Sequence, residues 1–356
     1  MAFDLWAKLA KSGAKALTVA GIAAASFAAP ATAQDGSVRI GFLLKTMQEA
    51  RYQTDKSLFI ARAESKGAEV VFDSSGNDPL RQLQQVEEML EDGIDVLVLQ
   101  PVNTGTAGAL VKLANEFGVK VVGYDSMLQD GPLDVMVMQD SWTVGKLQGE
   151  AMVDWLREKK GDVTGRVALL RGQPGDSNAA ALSSGVLEVI ENNPGLELVV
   201  DRSHVDWSPD MARETTENLL VEYDNDIDAI IANNSGMAFG AIAALSEEGL
   251  DSREKVFVAG SDADLRNIRL VARDVQAMDV WKQIKPLAFT AADVAIEIGN
   301  AREDDVTTLI GEHVMINNGF ADIPTIITPV VAVSKETIDD TVLSGGFYTT
   351  EQIYND

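Results

Sequence analysis

Side chains suited to molecular recognition recur in this 356-residue chain directly after short apolar, β-branched runs. Lys45 and then Arg51-Tyr52 follow residues 38–44 (VRIGFLL), Pro101 and Asn103 follow Gln100, and Asp125 follows Tyr124. Further on, Gln173, Asp176 and Asn178 come after Leu170, and His204, Asp206 and Trp207 come after Asp201. Asn233-Asn234-Ser235, Ser261-Asp262 and Trp281-Lys282 complete the series. Carboxylates accept hydroxyl protons, while Arg, Lys and Asn donate to oxygens, and the charge-assisted bonds are the stronger ones. An aromatic ring covers an apolar C–H face at little entropic cost. Together these are the requirements of a sugar, which presents donating and accepting hydroxyls beside C–H faces.

Other chemistries find little material. The chain has no cysteine, which removes disulfides, thiolate metal sites and cysteine nucleophiles. A Ser-His-Asp assembly would need His204 or His313, the only two histidines, and neither lies near a G-x-S-x-G elbow. No G-x-x-x-x-G-K-[ST] and no G-x-G-x-x-G follows a strand, so no phosphate cradle is present. Asp224-Asn225-Asp226-Ile227-Asp228 faintly resembles a calcium loop, but Ala229 and Ser235 stand where that loop requires glycine and glutamate. No metal, cofactor or catalytic residue is therefore expected. Paired carboxylates carry no information in a chain with 55 acids.

The elements that must position the polar residues alternate regularly. Strands are expected at residues 38–44, 69–73, 95–100, 119–124 and 134–138, then 166–170, 196–201, 229–232, 256–259 and 275–280. Helices are expected at 49–66, 79–92, 106–117, 142–159, 178–192, 209–223, 236–248 and 285–299, followed by a polar, loop-rich tail with Pro324 and Pro329. Near-continuous apolar strands spaced by helices indicate parallel sheets covered on both faces. The pattern restarts near residue 142, which gives an α/β architecture of two doubly wound lobes in series. Ligands of such sheets sit beyond the carboxyl ends of the strands, where the polar residues fall. Taken singly, each has a plainer role: Asp262 as the cap of the next helix, Asp125 as a strand terminator, Trp207 as a cover over the core, Lys282 as a surface lysine beside an acid.

The first residues read as an address. Lys8, Lys11 and Lys15 precede an uncharged apolar run at 16–29, and Pro30-Ala31-Thr32-Ala33 supplies small residues before Gln34. The run is shorter than the roughly 20 residues that span a bilayer. A secretory signal peptide, residues 1–33, cleaved after Ala33 is expected, with no cysteine at the junction to carry a lipid. Removing it takes the formal charge from −26 to −28, because it carries three lysines and one aspartate. A field of that sign repels phosphate backbones, so nucleic acid is not an expected partner.

Several segments together carry a family resemblance: Arg51-Tyr52-Gln53, Gly93-Ile94-Asp95-Val96-Leu97-Val98, Val121-Val122-Gly123-Tyr124-Asp125, Val205-Asp206-Trp207, Gly240-Ala241-Ile242-Ala243-Ala244-Leu245, Gly260-Ser261-Asp262-Ala263-Asp264-Leu265 and Thr325-Ile326-Ile327-Thr328-Pro329-Val330. From about residue 38 to 347 the chain resembles the periplasmic sugar-binding proteins of ABC importers, type I fold, and among them the D-xylose-binding proteins. The resemblance implies two lobes joined by a three-stranded hinge, residues 34–140 with 283–325 and residues 141–282 with 326–356. It implies a monomer that captures a monosaccharide, D-xylose or a related sugar, by hinge closure in the periplasm and delivers it to an ABC permease in the inner membrane. It places the ligand contacts at Arg51, Tyr52, Asp125, Asn178, Trp207, Asn234, Asp262 and Lys282.

The chain departs from the family pattern at four positions. Tyr52 replaces a tryptophan, Ser126 and Ser184 stand for arginines, and Ser235 stands for an aspartate. Shorter side chains there leave room for a hexose, a polyol or a cyclitol. A sensor component that reports its ligand to a membrane receptor would share the fold and the site. A secreted carbohydrate hydrolase is the enzymatic alternative. A transcriptional regulator of related fold would need a basic helix-turn-helix, which is absent.

Overall fold

The computed structural model describes residues 37–301 and 305–355; the expected signal peptide lies outside them. The chain begins with β1 (Arg39–Leu44), α1 (Arg51–Ser65), β2 (Glu69–Ser74), α2 (Pro79–Glu91), β3 (Val96–Leu99), α3 (Ala107–Glu116), β4 (Lys120–Tyr124) and β5 (Val135–Gln139). It continues with α4 (Ser141–Lys160), β6 (Gly165–Arg171), α5 (Ser177–Glu191), β7 (Leu196–Ser203), α6 (Pro209–Glu222), β8 (Ala229–Ala232), α7 (Ser235–Glu247), β9 (Phe257–Ser261), α8 (Leu265–Ala272) and β10 (Met278–Lys282). The last part holds α9 (Ile284–Asn300), α10 (Val306–Leu309), β11 (Val314–Asn317), β12 (Asp322–Thr328), β13 (Val330–Ser334) and α11 (Thr350–Tyr354).

Local chemistry sets the element ends. Pro79 occupies the first turn of α2, where a missing N–H is harmless, and Asp78 accepts from the Leu80 and Arg81 N–H groups at 2.8 and 3.2 Å. Asp140 caps α4 by accepting from Thr143 N–H at 3.0 Å, and Gly161 closes that helix at φ 77°. Helices α4 and α5 approach closely through glycine: a Cβ on Gly145 would lie 1.9 Å from the Leu182 carbonyl oxygen.

Two sheets result, with strand orders β11-β12-β5-β4-β3-β1-β2 and β13-β10-β9-β8-β6-β7. Both are parallel except at one edge, where β11 runs antiparallel to β12 and β13 antiparallel to β10. The first sheet has an apolar layer on each face: Phe42, Phe59, Val98, Tyr124 and Leu287 on one, Leu43, Val86, Leu97 and Met136 on the other. The second sheet's core is built from residues such as Leu169, Leu182, Ile230, Ala241 and Val258. No described helix is long and apolar enough to cross a membrane.

The chain passes between the sheets after β5, after β10 and between β12 and β13. The third passage falls at Pro329, three residues beyond the expected 325/326 division, because β12 stays paired with β5 through Thr328↔Gln139. The tail expected to be loop-rich contains three strands. Its prolines hid them: Pro324 stands just before the stretch of β12 that pairs with β5, which begins at Thr325↔Met136, and Pro329 sits in the passage itself. The last parallel strand runs 278–282 rather than 275–280, so Trp281 and Lys282 end the strand.

Candidate functional site

The residues just beyond the strand ends of the two lobes meet across a cleft. Arg51 is the first residue of α1 and is only 5% exposed. Its Nη2 donates to Asp125 Oδ1 at 3.1 Å, its Nε and Nη2 lie 3.4 Å from the two oxygens of Asp55, and its Nη1 lies 3.6 Å from Asp262 Oδ1 in the opposite lobe. One guanidinium thus ties its own helix to the β4 loop and to the β9 loop. The Tyr52 hydroxyl accepts from Gln100 Nε2 at 2.9 Å, and the same amide donates to Asp125 Oδ2 at 2.8 Å. Asp125 also accepts from Asn178 Nδ2 at 3.2 Å, a bond from the second lobe.

On the second lobe, Lys282 Nζ forms an ion pair with Asp262 Oδ1 at 2.6 Å, both groups buried. The pair is electrostatic, since that oxygen has no partner aligned for a hydrogen bond among the described residues. Trp207 is buried, and its ring fills the space over Gly172, where a Cβ would lie 2.3 Å from the indole. Its indole nitrogen is buried with no hydrogen-bond partner among the described residues. Asn234 caps α7, its side-chain oxygen accepting from Met237 N–H at 2.8 Å. Asp262 is not a helix cap: α8 starts at Leu265, preceded by Asp264. Three of the eight expected contact residues hold positive φ, Asp125 at 64°, Trp207 at 53° and Asp262 at 108°. Asp and Asn adopt this region in ordinary turns as well, but for Trp207 it is a strained conformation of the kind that clusters at functional sites.

All eight expected residues are brought to the cleft, but in two layers. A cavity of about 690 Å³ has Arg51, Trp207, Asn234 and Asp262 in its wall, together with Glu49 and Asp264. That volume suits a small molecule, whose pockets run about 300–1,000 Å³. Tyr52, Asp125, Asn178 and Lys282 lie outside that wall, joined to it through Arg51 and Asp262. The sheets' carboxyl ends therefore supply polar groups from both lobes, as a cleft that encloses its ligand requires.

Three further residues complete the network: Lys45, Gln100 and Asp176. Lys45 Nζ reaches Asp176 Oδ2 in the other lobe at 2.6 Å. Asp176 caps α5 through Asn178 N–H at 2.8 Å and accepts from Ser126 Oγ at 3.3 Å. Each stands directly at a strand end or a helix start, which is the signal by which sequence can locate them. The serines are accounted for differently. Ser126 and Ser235 are buried, and Ser235 Oγ donates to Asp279 Oδ2 at 2.9 Å. Ser184 is exposed on α5, so it is not a cleft residue; its neighbour Ser183 is buried and donates to Asn233 Oδ1 at 3.0 Å. His204 is structural, its ring nitrogens 3.0 Å from the Arg171 carbonyl and from Thr215 Oγ1.

Burial and charge set the ionisation of the cluster. Burial opposes ionisation of Asp125, but Arg51, Lys282 and Lys45, with the Gln100 hydrogen bond, outweigh it and hold the carboxyl below its ordinary range. Burial dominates elsewhere. It pushes Glu49 up to about 7 against the pull of Lys45, and Asp264 up to about 6 with help from the Asp262 charge. Asp279, fully buried beneath the Asp262 turn, rises to about 7 although Ala263 N–H, Gln276 and Ser235 all donate to it.

Comparison with known proteins agrees with this geometry. The profile of the periplasmic binding protein domain matches residues 40–303. The chain is 36% identical to the D-xylose-binding periplasmic protein of Escherichia coli K12 over 89% of this chain and 92% of that one. It is 34% identical to the D-xylose-binding periplasmic protein of Haemophilus influenzae over 91% and 94%. An ABC transporter solute-binding protein from Clostridium phytofermentans, solved with bound β-D-glucose, superposes with a TM-score of 0.78 at 21% identity, covering 88% of this chain and 99% of that one. The enzymatic and regulator alternatives find no counterpart in these relatives, which are solute-binding proteins. With two doubly wound lobes, a cleft furnished by both and relatives that span nine-tenths of its length, the chain belongs to the periplasmic binding protein family, type I fold.

Proposed function

We propose that this protein captures a neutral monosaccharide, D-xylose or a close relative, between its lobes and hands it to an ABC permease. The observation that carries the reading is the meeting of Arg51, Asp125 and Tyr52 of one lobe with Asn178, Trp207, Asn234, Asp262 and Lys282 of the other around one cleft. Carboxylates and cations that alternate within hydrogen-bonding distance can satisfy hydroxyls that both donate and accept, and the Trp207 ring supplies an apolar face. Identity above a third to two D-xylose-binding periplasmic proteins supports the pentose.

Contacts from both lobes make closure and binding the same event. A ligand that bonds both lobes at once binds the closed form more tightly and shifts the population toward it. The protein acts as a monomer, exported to the periplasm with its signal peptide removed after Ala33. The test is thermal unfolding of the mature protein against pentoses, hexoses, polyols and cyclitols. A true ligand at about 100 times its Kd stabilises by about 2.7 kcal/mol. D-xylose is expected among the stabilising sugars; the absence of a shift with any of them overturns the reading.

A further inference from the structure

Lys45 is the first residue after β1 and is 3% exposed. Its ammonium lies 2.6 Å from Asp176 Oδ2 across the cleft, 5.2 Å from the centre of the Trp207 ring and 5.8 Å from that of Tyr52. Its backbone N–H donates to Gln100 Oε1 at 3.3 Å, and the other end of that amide bonds both Tyr52 and Asp125. Lys45 is therefore fixed at its base to the network that holds the inner layer of the site, while its charge lies among the site's two aromatic rings. An ammonium has three protons to donate, and among the described residues only Asp176 Oδ2 accepts from this one.

Resting on the sugar-binding reading above, we propose that Lys45 is a ligand-contacting residue that, with Asp176, sets the specificity of the site. The buried cations of the cleft each have a carboxylate partner: Lys45 with Asp176 across the cleft, Arg51 with Asp125 within the first lobe, and Lys282 with Asp262 within the second. Asp55 stands behind Arg51 and also accepts from the Tyr124 hydroxyl; burial, against the pull of Arg51, raises its carboxyl. Each of these three buried cations is already matched by a carboxylate, so a charged ligand such as a uronate or an amino sugar brings a buried charge with no partner left for it, whereas an uncharged polyhydroxy ring does not. Lys45 stands just behind the cavity wall, against the Trp207 ring that forms part of it, and on this proposal its two remaining protons meet a ligand oxygen there. A lysine here gives a point-like donor that a bidentate guanidinium would not.

The experiment is calorimetric titration of wild type, Lys45→Met and Lys45→Arg with D-xylose and each of its monodeoxy analogues, with D-glucuronate and D-glucosamine as charged probes. Far-UV circular dichroism and the melting temperature of each variant without sugar establish that it folds. A hydrogen bond from a charged group corresponds to about 10- to 150-fold in affinity. Lys45→Met is expected to weaken D-xylose by that factor yet leave one deoxy analogue, the one lacking the contacted hydroxyl, nearly unchanged, and Lys45→Arg is not expected to restore binding. Wild type is expected to bind neither charged probe. Equal losses for every sugar and analogue make Lys45 a lobe-closing ion pair only, and overturn the proposal, as does unchanged affinity in Lys45→Met or tight binding of a charged probe by wild type. Wild type that binds no neutral sugar overturns instead the reading on which the proposal rests.

Discussion

Asp279 offers a prediction that links the site's support to stability. Its carboxylate, fully buried on β10, accepts from Ala263 N–H at 2.9 Å, Gln276 Nε2 at 2.9 Å and Ser235 Oγ at 2.9 Å, and so fixes the turn that carries Asp262. Burial lifts its pKa from 3.8 to about 7. Between those values the folded state binds the proton and the unfolded chain does not, so the group's stabilising contribution is full at low pH and declines as pH rises toward 7. At 1.36 kcal/mol per unit the whole span is about 4 kcal/mol, and about 2–3 kcal/mol of it falls between about pH 5 and pH 8. Half-buried Glu49 and Asp264 act in the same direction. His204 acts oppositely, because burial lowers its pKa below 6.5 and acid favours the unfolded chain there. The assay is therefore a difference: urea unfolding of wild type and Asp279→Asn at several pH values. Wild type should lose about 2–3 kcal/mol more than the variant across that range. Parallel pH profiles would refute the reasoning, since they would mean that Asp279 ionises in the fold as it does in water.

Other consequences are simpler to measure. Gly172→Ala places a methyl where the Trp207 ring lies, 2.3 Å from its nearest atom, so thermal melts should show about 1–3 kcal/mol of destabilisation and titration a weakened ligand. Asp262→Ala leaves buried Lys282 without its carboxylate, and Trp207→Ala removes the apolar face; each should abolish the sugar-induced rise in melting temperature seen in wild type. Asn77→Ala removes an exposed bond between lobes, 2.9 Å to Asp206 Oδ1, and puts alanine at φ 63°, so it should destabilise by about 1–2 kcal/mol, nearly all of it from the backbone.

Periodicity made the two parallel sheets readable. Runs such as VLVL and AIIA are too short for a helix and, spaced by helices, read as strands covered on both faces, and the helices between them fell within a residue or two of their observed ends. The edge strands were not readable, because β11 is largely exposed and β12 is interrupted by Pro324, so neither shows an apolar period. In the site, residues beyond strand ends such as Asp125 and Asp262 follow from topology. Contacts across the cleft do not, since the Lys45–Asp176 pair joins residues 131 apart that only the relative placement of the lobes brings together. Ser184 illustrates the same limit, for one position along a helix decides between a buried and an exposed side chain.

On this reading a single neutral sugar is held by both lobes at once. Isothermal titration of D-xylose into wild type, Arg51→Met from the first lobe and Asp262→Asn from the second tests it most directly. One site per chain is expected in wild type, with affinity lost by at least about tenfold in each variant, as for a charge-assisted bond. Undiminished binding in either variant, or no heat with any neutral monosaccharide, would contradict it.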